Sequence, residues 1–277
     1  MLPALMQATS RESLGSLRSS LEQAARSQDA PTVAAVGEQL SEVSRVLSQE
    51  PGVRRALADP SASEQNRAEL VRRLFGSRVS PASLDLLSAA AQSQWSSAGD
   101  LVDALTDLGQ QAAFISAEKD GSFNTVEEEI FRFSRILDAN GELEQRLSDQ
   151  TAPVAARRQL LDRLIGGKLS PISTRLLESV LANPRVRSIA NSVEGLVDDA
   201  AARRRSAVAI VKSPMALSAA QEQRLTASLS RIYGREMSVS VDVDPSVMGG
   251  LRVQVGEDVI DGSVAGQLDA IQRRFAG

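Results

Sequence analysis

The residues of this 277-residue chain best suited to chemistry are four aspartates near its C-terminal end, Asp242, Asp244, Asp258 and Asp261. Carboxylates grouped in this way could hold a divalent cation or share acid–base work. Their spacing is not that of a helix–loop–helix calcium site, and Asp244-Pro245 and Asp261-Gly262 are ordinary turn pairs. They read as turn and surface residues. Gly249-Gly250 and Gly262 could cradle a phosphate, but G-x-x-x-x-G-K-[ST] is absent and no lysine is adjacent. Glycines at the tight turns of a small sheet are the better account. The short basic groups Arg54-Arg55, Arg72-Arg73, Arg157-Arg158 and Arg203 to Arg205 could touch phosphates. No aromatic residues interleave them, and a net charge of −4 with a pI near 5.2 argues against nucleic acid. They read as solvated helix faces.

The chain has no cysteine and no histidine. That removes disulfides, zinc sites of the Cys/His type and any dyad built on a thiolate or an imidazole. No catalytic residue, cofactor or metal is assigned. Trp95, the only tryptophan, is either a core residue or a half-exposed anchor for a partner protein.

These residues must be positioned by helices. Apolar residues make up 42% of the chain and aromatic ones only 3%, a balance that suits cores of Leu, Val, Ala and Ile. Thr9-Ser10-Arg11-Glu12 reads as a capping box ahead of Leu14, Leu17 and Leu21. Asp29 opens a stripe of Val33, Val36, Leu40, Val43 and Leu47, broken at Pro51-Gly52. Ser63 and Ser80-Pro81 start two further helices, the second carrying Leu84, Leu87 and Ala91 toward Trp95. A long helix through Leu101, Leu105, Leu108, Ala112 and Ile115 ends before Asp120-Gly121.

The pattern then repeats. Thr125 to Glu128 reads as another capping box, and Val126, Ile130, Phe133 and Leu137 as the stripe. A shift of 90 residues brings Arg67, Leu70, Arg73, Leu74 and Gly76 onto Arg157, Leu160, Arg163, Leu164 and Gly166. The same shift brings Ser80-Pro81 onto Ser170-Pro171 and Leu86-Leu87 onto Leu176-Leu177. The matches fall on apolar stripes, caps and stops, the positions that specify a helical bundle. The chain is therefore expected to hold two tandem bundles of roughly five or six helices each, over residues 1–118 and 119–205. After Ala207 a β-branched run, a helix from Ser218 stopped at Gly234, the alternating segments Ser238 to Val243 and Leu251 to Val255, and a last helix through Val264, Leu268, Ile271 and Phe275 predict a small α/β domain, residues 206–277. Its order is strand, helix, strand, strand, helix. No apolar run reaches the roughly 20 residues needed to cross a bilayer, and the start lacks the features of a signal peptide. Membrane association would come through a partner.

Asp244-Pro245-Ser246-Val247-Met248-Gly249-Gly250, followed by Val259-Ile260-Asp261-Gly262-Ser263-Val264, resembles the C-terminal signature of the delta subunit of the F-type ATP synthase, the oligomycin-sensitivity-conferring protein family. There a D-x-[ST]-[VL]-[MIL]-[GA]-G turn precedes a strand and a V-I-D-G-S turn precedes the last helix. The stretch from Leu217-Ser218 to Tyr233-Gly234-Arg235 is also similar to the family's. Ordinary members have one N-terminal bundle; the doubled bundle here resembles the extended delta subunits of actinobacteria.

The resemblance implies a non-catalytic peripheral-stalk subunit, a stator. It would sit on the catalytic hexamer at the cytoplasmic face of the bacterial membrane. Its partners would be the N-terminal tail of an alpha subunit and the C-terminal ends of the b subunits, with no nucleic acid and no direct membrane insertion. Proton-driven torque would then become ATP synthesis. An apolar slot for the tail could be lined by Leu14, Leu17, Leu21, Leu84, Leu87, Ala91 and Trp95, with the first copy favoured because its first helix is the fuller. The alternatives are a helical adaptor unrelated to the synthase and an enzyme using the C-terminal carboxylates.

Overall fold

Serine and aspartate caps set about half of the described helix starts. A computed structural model describes residues 6–183, 188–233, 237–247, 249–256 and 258–262. The stripe Val264 to Phe275, the stop at Gly234, and Met248 and Ser263 of the motif lie outside these residues. Two compact units are present, Met1–Asp199 and Ala200–Gly277.

The first unit is helical. Its elements are α1 (Ala8–Arg26), α2 (Ala30–Gln49), α3 (Pro51–Leu57), α4 (Glu64–Phe75), α5 (Pro81–Gln92), α6 (Ala98–Asp120), α7 (Phe123–Ala139), α8 (Gly141–Ser148), α9 (Val154–Ile165), α10 (Pro171–Ala182) and α11 (Ile189–Ser206), the last running on into the second unit. The side chains of Asp29, Ser63, Ser80 and Ser170 accept backbone N–H groups of Thr32, Asn66, Ser83 and Ser173, satisfying donors that no helix can satisfy itself. The capping boxes expected at Thr9 and Thr125 do not form, whereas at Ser218 the N–H donates to Gln221 Oε1 at 2.9 Å. α1 begins ahead of Thr9, and α7 begins at Phe123, ahead of Thr125. Both boxes fall inside a turn already started. Ser10 instead donates across the bundle to Asp100, at 2.8 Å.

The 90-residue shift holds in three dimensions. α2 to α5 map onto α7 to α10, and α1 maps onto α6. Equivalent polar side chains also repeat their bonds. The Ser80 N–H donates to Gln39 Oε1 at 2.8 Å, and the Ser170 N–H to Glu129, the residue 90 positions beyond Gln39. Asp59 and Asp149 close matching turns on the N–H groups of Ser61 and Thr151.

α6 completes the first bundle and opens the second. Leu101, Leu105, Leu108, Ala112 and Ile115 join the first core with Leu14, Leu17, Leu21, Val36, Leu40 and Leu47. On another side Phe114 is fully buried and meets Phe123 edge-on at 6.1 Å. α2 and α6 cross very closely. A Cβ built on Gly37 would lie 2.9 Å from the Gly109 carbonyl oxygen, so the crossing requires glycine there.

Not every basic pair is solvated. Arg67, Arg157 and Arg203 are buried. The Arg67 guanidinium donates to the carbonyls of Asp59, Ala62, Ala91, Gln92 and Ser93 at 2.5–3.4 Å. It thereby caps the C-terminal end of α5, whose carbonyls lack helical partners.

In the second unit, β1 (Val208–Ser213) runs parallel to β2 (Ser238–Val243) across the intervening α12 (Ala219–Tyr233). β3 (Arg252–Val255) and β4 (Asp258–Asp261) add antiparallel strands, giving the order β2-β1-β3-β4. β4 is a strand beyond those expected, formed by the short Val259-Ile260 segment. Ala209, Val211, Val253 and Val255 pack with Leu229 of α12 and Met237. The protein is thus mostly α with a small α/β unit.

Replacing Arg67 by Met is expected to lower stability by about 3 kcal/mol in urea unfolding, because it orphans several buried carbonyls. Arg73→Met, at an exposed position on the same helix, should cost no more than about 0.5 kcal/mol.

Candidate docking surfaces

The carboxylates that opened the sequence argument do not converge. By strand register, Asp242, Lys212, Arg252 and Asp261 form one row across the sheet, each acid beside a cation. Asp242 on β2 and Asp261 on β4 are three strand spacings apart, about 14 Å, too far for a shared cation or proton. Asp258 lies opposite Val255, on the other face. Asp244 accepts the Ser246 N–H at 2.9 Å and its hydroxyl at 2.5 Å, and these bonds hold its carboxyl below the ordinary value. Gly249 and Gly250 have φ of 68° and 77°, left-handed conformations that turn the chain into β3. A Cβ on Gly262 would sit 3.1 Å from the Leu251 carbonyl oxygen. Val247 lies in the same turn, and Ile260 is exposed on β4. The described part of the motif is therefore turn and edge geometry. Among the described residues no group of three or more acids forms a metal cluster.

The residues expected to line a slot lie beneath the surface. Leu14, Leu17, Leu21, Leu87 and Ala91 belong to the first core, and Leu84 packs half-buried against it. Trp95 is 9% exposed, and its indole N–H donates to the Ala90 carbonyl at 2.8 Å. That resolves its two readings in favour of the core. Between α1 and α5 the outer surface instead carries Ser16, Ser20 and, half-buried, Ser13, Ala82 and Ala89. Ser13 reaches across to the Gln94 carbonyl at 2.8 Å. This small-sided edge lets another backbone approach closely.

The repeat supplies a second such edge, α6–α10. Gln110 and Ser179, the equivalents of Ser20 and Ala89, are bonded at 3.0 Å. Asn183 contacts Asp103 at 3.4 Å. This edge has an added wall. α2 stands over it, and the Glu38 carboxylate pairs with Arg175 of α10 across the mouth. The open cleft between them measures about 680 Å³.

A charge cluster ties α1 to α6 and α11. Arg18 donates its Nε to Asp107 at 2.7 Å, with its Nη2 on the other carboxylate oxygen, and Asp199 lies 3.9 Å away. Burial, then the charge of Asp107 and to a lesser degree Asp198, push the Asp199 carboxyl up, while Arg18 opposes them. No sequence signal pointed to this cluster, because its partners are brought together from three distant helices.

The described residues thus form a helical unit of repeated design and a small sheet, and the carboxylates singled out in the sequence do not converge. The family model for the ATP synthase delta (OSCP) subunit matches residues 19–102 and 110–275. The chain is 40% identical over 272 residues to the ATP synthase subunit delta of Streptomyces griseus, covering 98% of this chain and all of that one. It is 43% identical to that of Nocardia farcinica over 271 residues, 98% of this chain and all of the relative. A third relative, from Kineococcus radiotolerans, is 43% identical over 87% of both chains. The chain belongs to the delta (OSCP) family of ATP synthase subunits, non-catalytic peripheral-stalk components of a membrane-bound complex. Among the described residues, no helix is long and apolar enough to cross a membrane.

Because the Asp199 carboxyl is raised, its contribution to stability is full below the ordinary value of 3.8 and is lost as pH rises through the folded value. Asp199→Asn is accordingly expected to raise the melting temperature at pH 7, with the gain vanishing in acid. Thermal unfolding followed from pH 3 to 8 checks the sign.

Proposed function

We propose that this protein is the stator joint of a proton-translocating F-type ATP synthase. It links the alpha/beta hexamer to the b subunits at the cytoplasmic face of the bacterial membrane, so that rotor torque drives ATP synthesis and does not spin the hexamer. The observation that carries this reading is the full-length likeness to delta subunits, which runs through both helical copies and the sheet. A joint of this kind needs affinity and stiffness. A nanomolar contact is worth about −12 kcal/mol, and apolar helix faces and a small sheet can supply it without a nucleophile, base or metal.

In this reading the amphipathic tail of an alpha subunit lies along the α1–α5 edge of the first copy. Leu14, Leu17, Leu21, Leu87 and Ala91 hold the two helices together beneath it, Leu84 packs near the start of α5, and Trp95 fixes its end. The small side chains of Ser16, Ser20, Ala82 and Ala89 allow the tail to sit close. The second unit takes the C-terminal ends of the b subunits, and its turns at Asp244 to Val247, Gly249-Gly250 and Gly262 hold the strands that present this surface.

Co-purification from solubilised membranes tests the main claim: tagged chain should bring down the alpha and b subunits together. Ser16→Arg with Ser20→Arg should weaken binding of an alpha N-terminal peptide by at least about tenfold, or 1.4 kcal/mol, and leave b-subunit capture unchanged. Recovery of neither subunit would overturn the reading, and unchanged peptide affinity would overturn the tail's placement.

A further inference from the structure

Asn140-Gly141 is the chain's only Asn-Gly pair. It forms the joint between α7 and α8, and both residues are exposed there. We infer that Asn140 is a hydrolytic modification site: water converts its carboxamide to an acid, and the joint is built to accept that acid. Nothing in this inference depends on how the partners dock.

The reaction needs only the chain and water. The Gly141 backbone nitrogen gives up its proton to hydroxide and attacks Asn140 Cγ. A C–N bond forms and closes a five-membered imide. The Cγ–Nδ2 bond breaks, and the departing nitrogen takes up a proton from water and leaves as ammonia. A second water then opens the imide at either carbonyl. One opening leaves aspartate on the ordinary backbone. The other runs the chain through the former side chain, an isoaspartyl link. An amide and a water thus become an acid and ammonia, with nothing oxidised or reduced.

The joint leaves this route open. Gly141 is the first residue of α8, so no carbonyl of that helix accepts its N–H. A Cβ built on Gly141 would meet nothing within 4 Å, so the attacking nitrogen is uncrowded. Asn140 has φ −132° and ψ 74°, outside the helical range, so it belongs to neither helix. Two bonds resist the closure. Asn140 Nδ2 donates to the Ile136 carbonyl at 2.7 Å, and the Glu144 N–H donates to the Asn140 carbonyl at 3.1 Å. Exchanging them for water slows the reaction below its rate in an unfolded chain and does not close the route. The other asparagines lack these features. Asn183 precedes a proline, which has no N–H. The N–H groups that follow Asn66 and Asn191 are bonded to the Ser63 and Ser188 carbonyls at 3.1 and 3.3 Å. Thr125, after Asn124, is branched at Cβ and crowds the approach.

The repeat shows why an acid fits. The residue 90 positions before Asn140 is Glu50. It closes α2 and opens α3 with φ −114° and ψ 78°, close to the backbone of Asn140. The first copy therefore already carries a carboxylate at this joint. An aspartate at the second joint would place its charge at the N-terminal end of α8, where the helix dipole favours it. The isoaspartyl product lengthens the backbone and has no such counterpart, so it loosens the joint.

The test is peptide mapping by mass spectrometry of the purified full chain, held folded at mildly alkaline pH in isotope-labelled water. Asn140 is expected to convert ahead of Asn66, Asn124, Asn183 and Asn191, taking up labelled oxygen and giving both aspartyl and isoaspartyl peptides. Gly141→Ala, at a position with room for the methyl, should lose the conversion over the period in which the parent converts. Asn140→Gln, whose longer side chain closes a larger and slower ring, should lose it too. Asn140→Asp should melt with the parent, as Glu50 implies. Earlier conversion of another asparagine would overturn the site, as would no conversion in the folded chain, whether or not the urea-unfolded chain converts. Unchanged conversion in Gly141→Ala would overturn the route through the Gly141 nitrogen. An Asn140→Asp chain that melts well below the parent would overturn the accepted acid.

Discussion

The burial of α6 on two sides is the constraint on which the helical unit depends. A helix that closes one bundle can leave its far face to water, but this one has to open the next bundle with that face. The close crossing with α2 at Gly37 and Gly109 brings it deep into the first core. Its other side then carries Asp103, Asp107 and Gln110 into the interior. Buried polar groups are tolerable only with partners, and each of these three has one: Asn183, Arg18 and Ser179. The partners come from helices on either side, so the polar face of α6 cross-links the two copies.

Much of this was legible in the sequence. The caps at Ser63, Ser80 and Ser170, the stops and the 90-residue repeat were all visible, because they depend on residues a few positions apart. Burial of α6 was not. Its first face reads as an ordinary apolar stripe, and its second reads as solvent-facing because Asp and Gln usually are. Only partners some 70 to 90 residues away in sequence, such as Ser179 for Gln110 and Arg18 for Asp107, reverse that reading. The same limit explains Arg67 and Arg157, charged residues that spacing would place outside and that backbone carbonyls hold inside.

The docking residues show the limit from the other direction. Apolar spacing marks Leu14, Leu17, Leu21 and Leu87, but such spacing reports which face packs against the bundle's own core. In the proposed placement the surface left for a partner is the row of small residues between those stripes, which carries no pattern of its own. Trp95 likewise gave no sign of its direction until the Ala90 carbonyl supplied a bond for its N–H. The four C-terminal aspartates are close in sequence and separate in space, because the sheet places β2 and β4 on opposite edges.

Native-state hydrogen exchange along α2, α6 and α10 tests the shared helix most directly. If α6 binds the two copies into one block, the most protected amides of all three helices open with a single free energy and respond alike to denaturant. Separate opening energies for α2 and α10, with α6 following only one of them, would contradict the account.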